Sequence, residues 1–120
     1  VCRYNVTRLK ETTMPEAMAD LGRFAEPSLY ILLSLSDRPK HGYAIMTDVE
    51  SISGAPLGPG TLYAALARLE HRGLIEALEP DARRRPYRLT PVGASTLRGQ
   101  LESMRGFTQT ALERLRDAPP

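Results

Sequence analysis

The stretch LGPGTLYAALARLEHRGLIEAL, Leu57–Leu78, constrains the fold of this chain more than any other. Its lead-in, APLGPG, holds two glycines and two prolines and continues a helix from neither side, so a turn precedes Thr61. Leu62, Leu66 and Leu69 then recur at i, i+4 and i+7, the inward stripe of an amphipathic helix over residues 60–72. Gly73 ends it and LIEAL reads as a short strand. The face opposite the leucines is small and bare, carrying Gly60, Thr61, Ala64, Ala67, Arg68 and His71, with Tyr63 to one side. A helix apolar inward and small outward can bring its backbone close to a second surface.

The flanking segments supply the rest of the domain. PEAMADLGRFAE predicts a short helix with Pro15 in its first turn. SLYILLSL, with Leu29, Leu32, Leu33 and Leu35, predicts a buried helix, because leucine favours helix where β-branched residues would favour strand. Ile45, Met46, Val49 and Ile52 follow helical spacing up to Gly54. Downstream, LIEAL, the turn EPDARRR and the strand PYRLT form a β-hairpin with an arginine-rich tip, Tyr87 and Leu89 sharing one face. Thr90-Pro91 is a strong helix start. No proline interrupts from there to about Arg116, and Leu97, Leu101, Met104, Thr108, Ala111 and Leu115 mark a heptad seam.

The expected class is mainly α with a small β component (α+β): a winged helix-turn-helix followed by a C-terminal dimerisation helix. Residues 1–25 form an N-terminal extension with a short helix, 26–90 the winged helix, and 91–120 the dimerisation helix and tail. At 120 residues the chain is large enough for one modest core. No run of about 18 apolar residues predicts a membrane span. The first residues lack the layout of a secretory signal, and Cys2 is the single cysteine, so a cytoplasmic protein is expected.

The net charge of +2 says little by itself, whereas its distribution says more. Four arginines, Arg83, Arg84, Arg85 and Arg88, fall within RRRPYR at the hairpin. A groove-sized helix followed closely by a basic hairpin suits DNA: the helix enters the major groove and the hairpin neutralises phosphates or enters a minor groove. Thr61 and Tyr63 would offer hydroxyls to bases or phosphates, Ala64 a methyl contact and Arg68 a charge. Lys40 and His41, before the second helix of this unit, would touch phosphate. The plain alternatives are a solvated alanine face, a solvated arginine turn, and local capping or packing for His41.

Other chemistry finds little support. Cys2, His41 and His71 are too few and too separated for a zinc site, and no cofactor is expected. GPG lacks the lysine and spacing of a phosphate loop, and Glu70 and Glu76 have no partners for acid–base work. An enzyme is not expected. Tyr43 and Tyr87 read as core-edge residues and His71 as a surface residue. The seam predicts a two-fold homodimer on a pseudo-palindromic double-stranded operator. Met104 and Phe107 could hold a small apolar effector between subunits, against the alternative of ordinary interface packing. A winged helix serving as a protein–protein interaction module is the competing function.

HGYAI, LGPGTLYAALARLEHRGLIE and RRRPYRLTPVG resemble the PadR family of bacterial transcriptional regulators, in order and spacing, from about Glu26 to about Leu97. The resemblance implies a homodimer joined largely by the C-terminal helix, which here is single and short as in the smaller subfamily. It implies repression of a nearby promoter, often the regulator's own, relieved by a small molecule or other signal. Thr61 and Tyr63 match its recognition-helix motif, Arg83, Arg84 and Arg85 its basic wing, and His41, Gly42 and Tyr43 the start of its second helix. Two features depart from the pattern. Ala64 stands where many relatives have proline or glycine, so base preference does not carry over. The chain has no tryptophan, which some small members use to hold flat aromatic drugs.

Overall fold

A computed structural model describes residues 27–119. The helix expected over PEAMADLGRFAE, and Cys2, lie outside the described residues. Within them the order is α1 (Pro27–Ser34), β1 (Lys40–His41), α2 (Gly42–Ser53), α3 (Pro59–His71), β2 (Ile75–Ala77), β3 (Pro86–Leu89) and α4 (Pro91–Arg116).

The apolar periods become one core. SLYILLSL is helical, with Ile31, Leu32 and Leu35 buried; Ile45 and Val49 of α2 and Leu62, Ala65, Leu66 and Leu69 of α3 close over them. Burying each large aliphatic side chain contributes roughly 1.5–3 kcal/mol, so the α3 stripe is a principal anchor of the domain. Gly54 and Gly73 follow α2 and α3 at φ 75°, the left-handed conformation at which helices commonly end. The turn between them is held from below, where the Glu50 carboxylate accepts from the Leu57 amide at 2.7 Å. Pro59 belongs to the first turn of α3 rather than to the turn before it, since its missing N–H and fixed φ cost nothing there.

The hairpin is the expected antiparallel pair, with Glu76 opposite Arg88 and Ala77 opposite Tyr87. A third strand joins it. β1 pairs with the other edge of β3, Lys40 opposite Tyr87 and His41 opposite Pro86, giving the order β1-β3-β2. Two residues carry no periodicity, so β1 was invisible in the sequence; its effect is to tie the start of α2 to the wing.

Thr90 joins the wing to α4. Its hydroxyl oxygen accepts from the Gly93 amide at 2.9 Å and donates to the Gly73 carbonyl at 2.7 Å. A Cβ on Gly93 would fall on the Leu74 carbonyl oxygen, so only glycine lets α4 leave the sheet this closely. Among the described residues, the beginning of α4 alone is covered: Gly93 and Leu97 are buried, whereas Leu101, Met104, Phe107, Leu112 and Leu115 are exposed. Leu97, expected in the dimer seam, packs instead into its own chain's core, because the first turns of α4 lie against α1 and β3.

Candidate nucleic-acid interface

The α3 surface follows from its two-faced sequence. With Leu62, Ala65, Leu66 and Leu69 inward, Gly60, Thr61, Tyr63, Ala64, Ala67, Arg68 and His71 are all exposed. Tyr63 lies across the start of α2. A Cβ on Gly42 would stand 2.5 Å from the Tyr63 hydroxyl oxygen, so the glycine of HGY makes room for that ring.

The wing tip is a two-residue turn. The Asp81 amide donates to the Arg84 carbonyl at 2.6 Å and the Arg84 amide to the Asp81 carbonyl at 2.9 Å. Between them Ala82 and Arg83 have φ of 51° and 75°, the doubly left-handed geometry of a type I′ hairpin turn. This turn matches strand twist, but it usually takes asparagine and glycine. Arg85 reaches back to the Leu78 carbonyl at 3.3 Å, and Arg84 Nη1 lies 3.1 Å from His41 Nε2.

These pieces wall one groove of about 320 Å³, lined by His41, Gly42, Tyr43, Tyr63, Arg83, Arg84, Arg85 and Tyr87. Three guanidiniums face phenolic rings across a channel open to solvent. No carboxylate stands among the lining residues, so the groove suits an anionic ligand. Tyr87 is half-buried at its base; burial, then the charge of Glu70, hold its hydroxyl above the ordinary phenol range.

The structure redistributes several sequence expectations. Lys40 is not a free phosphate contact: it is 7% exposed. Its ammonium donates to the Ser34 carbonyl and, at 2.6 Å, to Asp37, and stands 3.9 Å from Asp48. The strand pairing of Lys40 turns its side chain inward, where a carbonyl and two carboxylates surround it. Arg88 is likewise diverted. It alternates with Tyr87 along β3, so it points away from the groove and pairs with Glu76 across the hairpin.

Tyr43 is a contact candidate that its sequence context placed at the core edge. It is 69% exposed because Gly42, Ile45 and Val49 form the inward face of α2, and it stands in the groove wall. Its place directly after His41-Gly42 was the available signal. Tyr87 packs against the core as expected. A groove of about 350 Å³ beside α4 is lined on that helix from Ala94 to Arg105 and takes in neither Met104 nor Phe107. Among the described residues no three His, Cys, Asp or Glu side chains cluster as a metal site, and no helix is long and apolar enough to cross a membrane.

Known proteins resemble this chain in sequence and fold. Residues 31–99 match the transcriptional regulator PadR-like family. A transcriptional regulator of Mycobacterium tuberculosis is 41% identical over 88 residues, 71% of this chain and 78% of that protein. An uncharacterized 37.1 kDa protein in a transposon of Streptomyces fradiae is 46% identical over 82 residues, 68% of this chain but only 24% of that longer protein. Among solved structures, a PadR family transcription regulator from Clostridium difficile has a TM-score of 0.69 at 26% identity, covering 76% of this chain and 99% of its own. A transcriptional regulator from Clostridium thermocellum has a TM-score of 0.66 at 27% identity, covering 78% and 93%. The matched residues span α1 to the first turns of α4, and with them the recognition helix, the wing and the groove between. The chain belongs to the PadR-like family of transcriptional regulators, DNA-binding proteins rather than enzymes.

Proposed function

We propose that the chain acts in the cytoplasm as a homodimeric repressor of its own or an adjacent promoter. Each protomer sets the outer face of α3 in the major groove of one half-site of a pseudo-palindromic operator and lays its wing arginines on the backbone or in the minor groove. The observation that carries this reading is the shared groove. Tyr63 of α3 shares that groove with Arg83, Arg84 and Arg85, so the exposed face of α3 stands beside a basic wing, as a helix flanked by phosphate contacts requires. Thr61, Tyr63, Ala64 and Arg68 face the bases, and the wing supplies sequence-independent attraction.

Fluorescence anisotropy against the DNA upstream of the protein's own gene, with scrambled DNA as control, tests this directly. A preference of about a thousandfold with a steep salt dependence is expected. Replacing Arg83, Arg84 and Arg85 together by alanine lowers the salt slope by up to about 0.9 for each phosphate no longer neutralised. No binding to either duplex at low salt would favour a protein-interaction module instead.

A further inference from the structure

His41, the last residue of β1 and the one directly before α2, is half-buried in the wall of the groove. Its Nε2 stands 3.1 Å from Arg84 Nη1. A guanidinium stays charged and has only donors, so the imidazole supplies the lone pair and carries no proton on Nε2 in this contact. The other groups facing it are Tyr43 from α2, Tyr63 from α3, Tyr87 from β3, and Arg83 and Arg85 from the wing. Its neighbour Lys40 turns away toward Ser34, Asp37 and Asp48. Glu70 acts on the groove through Tyr87 and does not line it, and neither does Asp81 of the wing turn.

In the free protein this contact sets an imidazole ring nitrogen against the guanidinium of Arg84. A phosphate in this groove changes that contact. It offsets the guanidiniums, draws Arg84 to itself, and accepts a charge-assisted hydrogen bond from an imidazolium N–H. We propose that His41 takes up a proton when a DNA phosphate enters the groove, so that the affinity of this protein for DNA rises as pH falls through the range in which histidine titrates. This rests on the DNA-binding reading above and concerns the backbone, so it holds for any duplex sequence. The sign follows from linkage: a complex that holds more protons than its free components tightens as protons become more available.

Anisotropy titrations of the full chain with a mixed-sequence duplex at low, constant ionic strength, at pH 6, 7 and 8, test the coupling. The chain has a second histidine, His71, exposed on the outer face of α3, so the comparison is made at His41 alone. Wild type should bind about tenfold more tightly at pH 6 than at pH 8 for each groove engaged, the limit for one proton taken up over part of that range. H41Q, which keeps an acceptor for Arg84 without a titrating charge, should lose that gain while still binding. Equal pH dependence in H41Q and wild type overturns the coupling and leaves the DNA reading standing. Failure of the wild type to bind any duplex at any of these pH values removes the DNA reading and the coupling with it.

Discussion

Lys40 shows how a single side chain is diverted by its surroundings. On a basic DNA-binding protein a lysine beside the recognition unit invites assignment to phosphate, yet this ammonium is enclosed by the Ser34 carbonyl, Asp37 and Asp48, and Ser34 itself donates to Asp48 at 2.7 Å. The group braces the loop that delivers His41 and Gly42 to the groove. The bond from Lys40 holds the Asp37 carboxyl below its ordinary value of 3.8. A depressed carboxyl contributes stability above the unfolded value and loses it as pH falls through the folded one, so this pair, open to solvent on the Asp37 side, fades only in acid. Lys40→Met should lower stability by about 1–2 kcal/mol, chiefly because the buried Ser34 carbonyl is left without its donor, as read by urea denaturation. It should leave the salt slope of DNA binding unchanged, and a fall in that slope would return Lys40 to the interface.

At the scale of elements, the wing combines a legible hairpin with an illegible tip. Alternation in LIEAL and PYRLT was enough to read two strands and a basic turn. The turn type was not readable, because neither Ala82 nor Arg83 is a residue that favours a left-handed backbone, and the Asp81–Arg84 bridge closes over those two positions. Such a conformation costs an L-residue roughly 1–2 kcal/mol. Ala82→Asn should therefore raise stability by about 1 kcal/mol in thermal denaturation without moving the arginines, since asparagine tolerates this geometry. A destabilised variant would mean that the turn is not of this type. The hairpin register explains Arg88: one position along β3 separates it from Tyr87 and puts it on the opposite face, beside Glu76.

For the whole molecule the deciding feature is α4. A helix of 26 residues runs about 39 Å, far beyond the small domain that supports its first turns. Past Leu97 its large apolar positions lack cover among the described residues, Leu101 and Met104 being 42% and 43% exposed and Phe107 75%. A second copy would cover them with the same stripe and would set two α3 helices at a fixed spacing. Met104→Glu should shift the protein to monomer in sedimentation at micromolar concentration, because a carboxylate placed in an apolar seam has no partner, and operator affinity should fall with it. A variant that remains dimeric would locate the contact elsewhere.

The sequence by itself determined the elements whose signals are local and repeated: the leucine stripe of α3, the proline and glycine punctuation, the Thr90-Pro91 start, and the motif residues that carry the family. Those signals depend on neighbours within one or two turns, so they survive without a fold. The tertiary structure alone decided what each polar side chain meets. Pairing of a two-residue strand with β3 buried Lys40, set His41 against Arg84 and brought Tyr43 into the groove wall. Packing of α4 on α1 took Leu97 out of the seam. These outcomes rest on residues far apart in the chain, 43 positions for His41 and Arg84 and more for Lys40 and Tyr87, and no periodicity in a linear chain encodes which of them will touch.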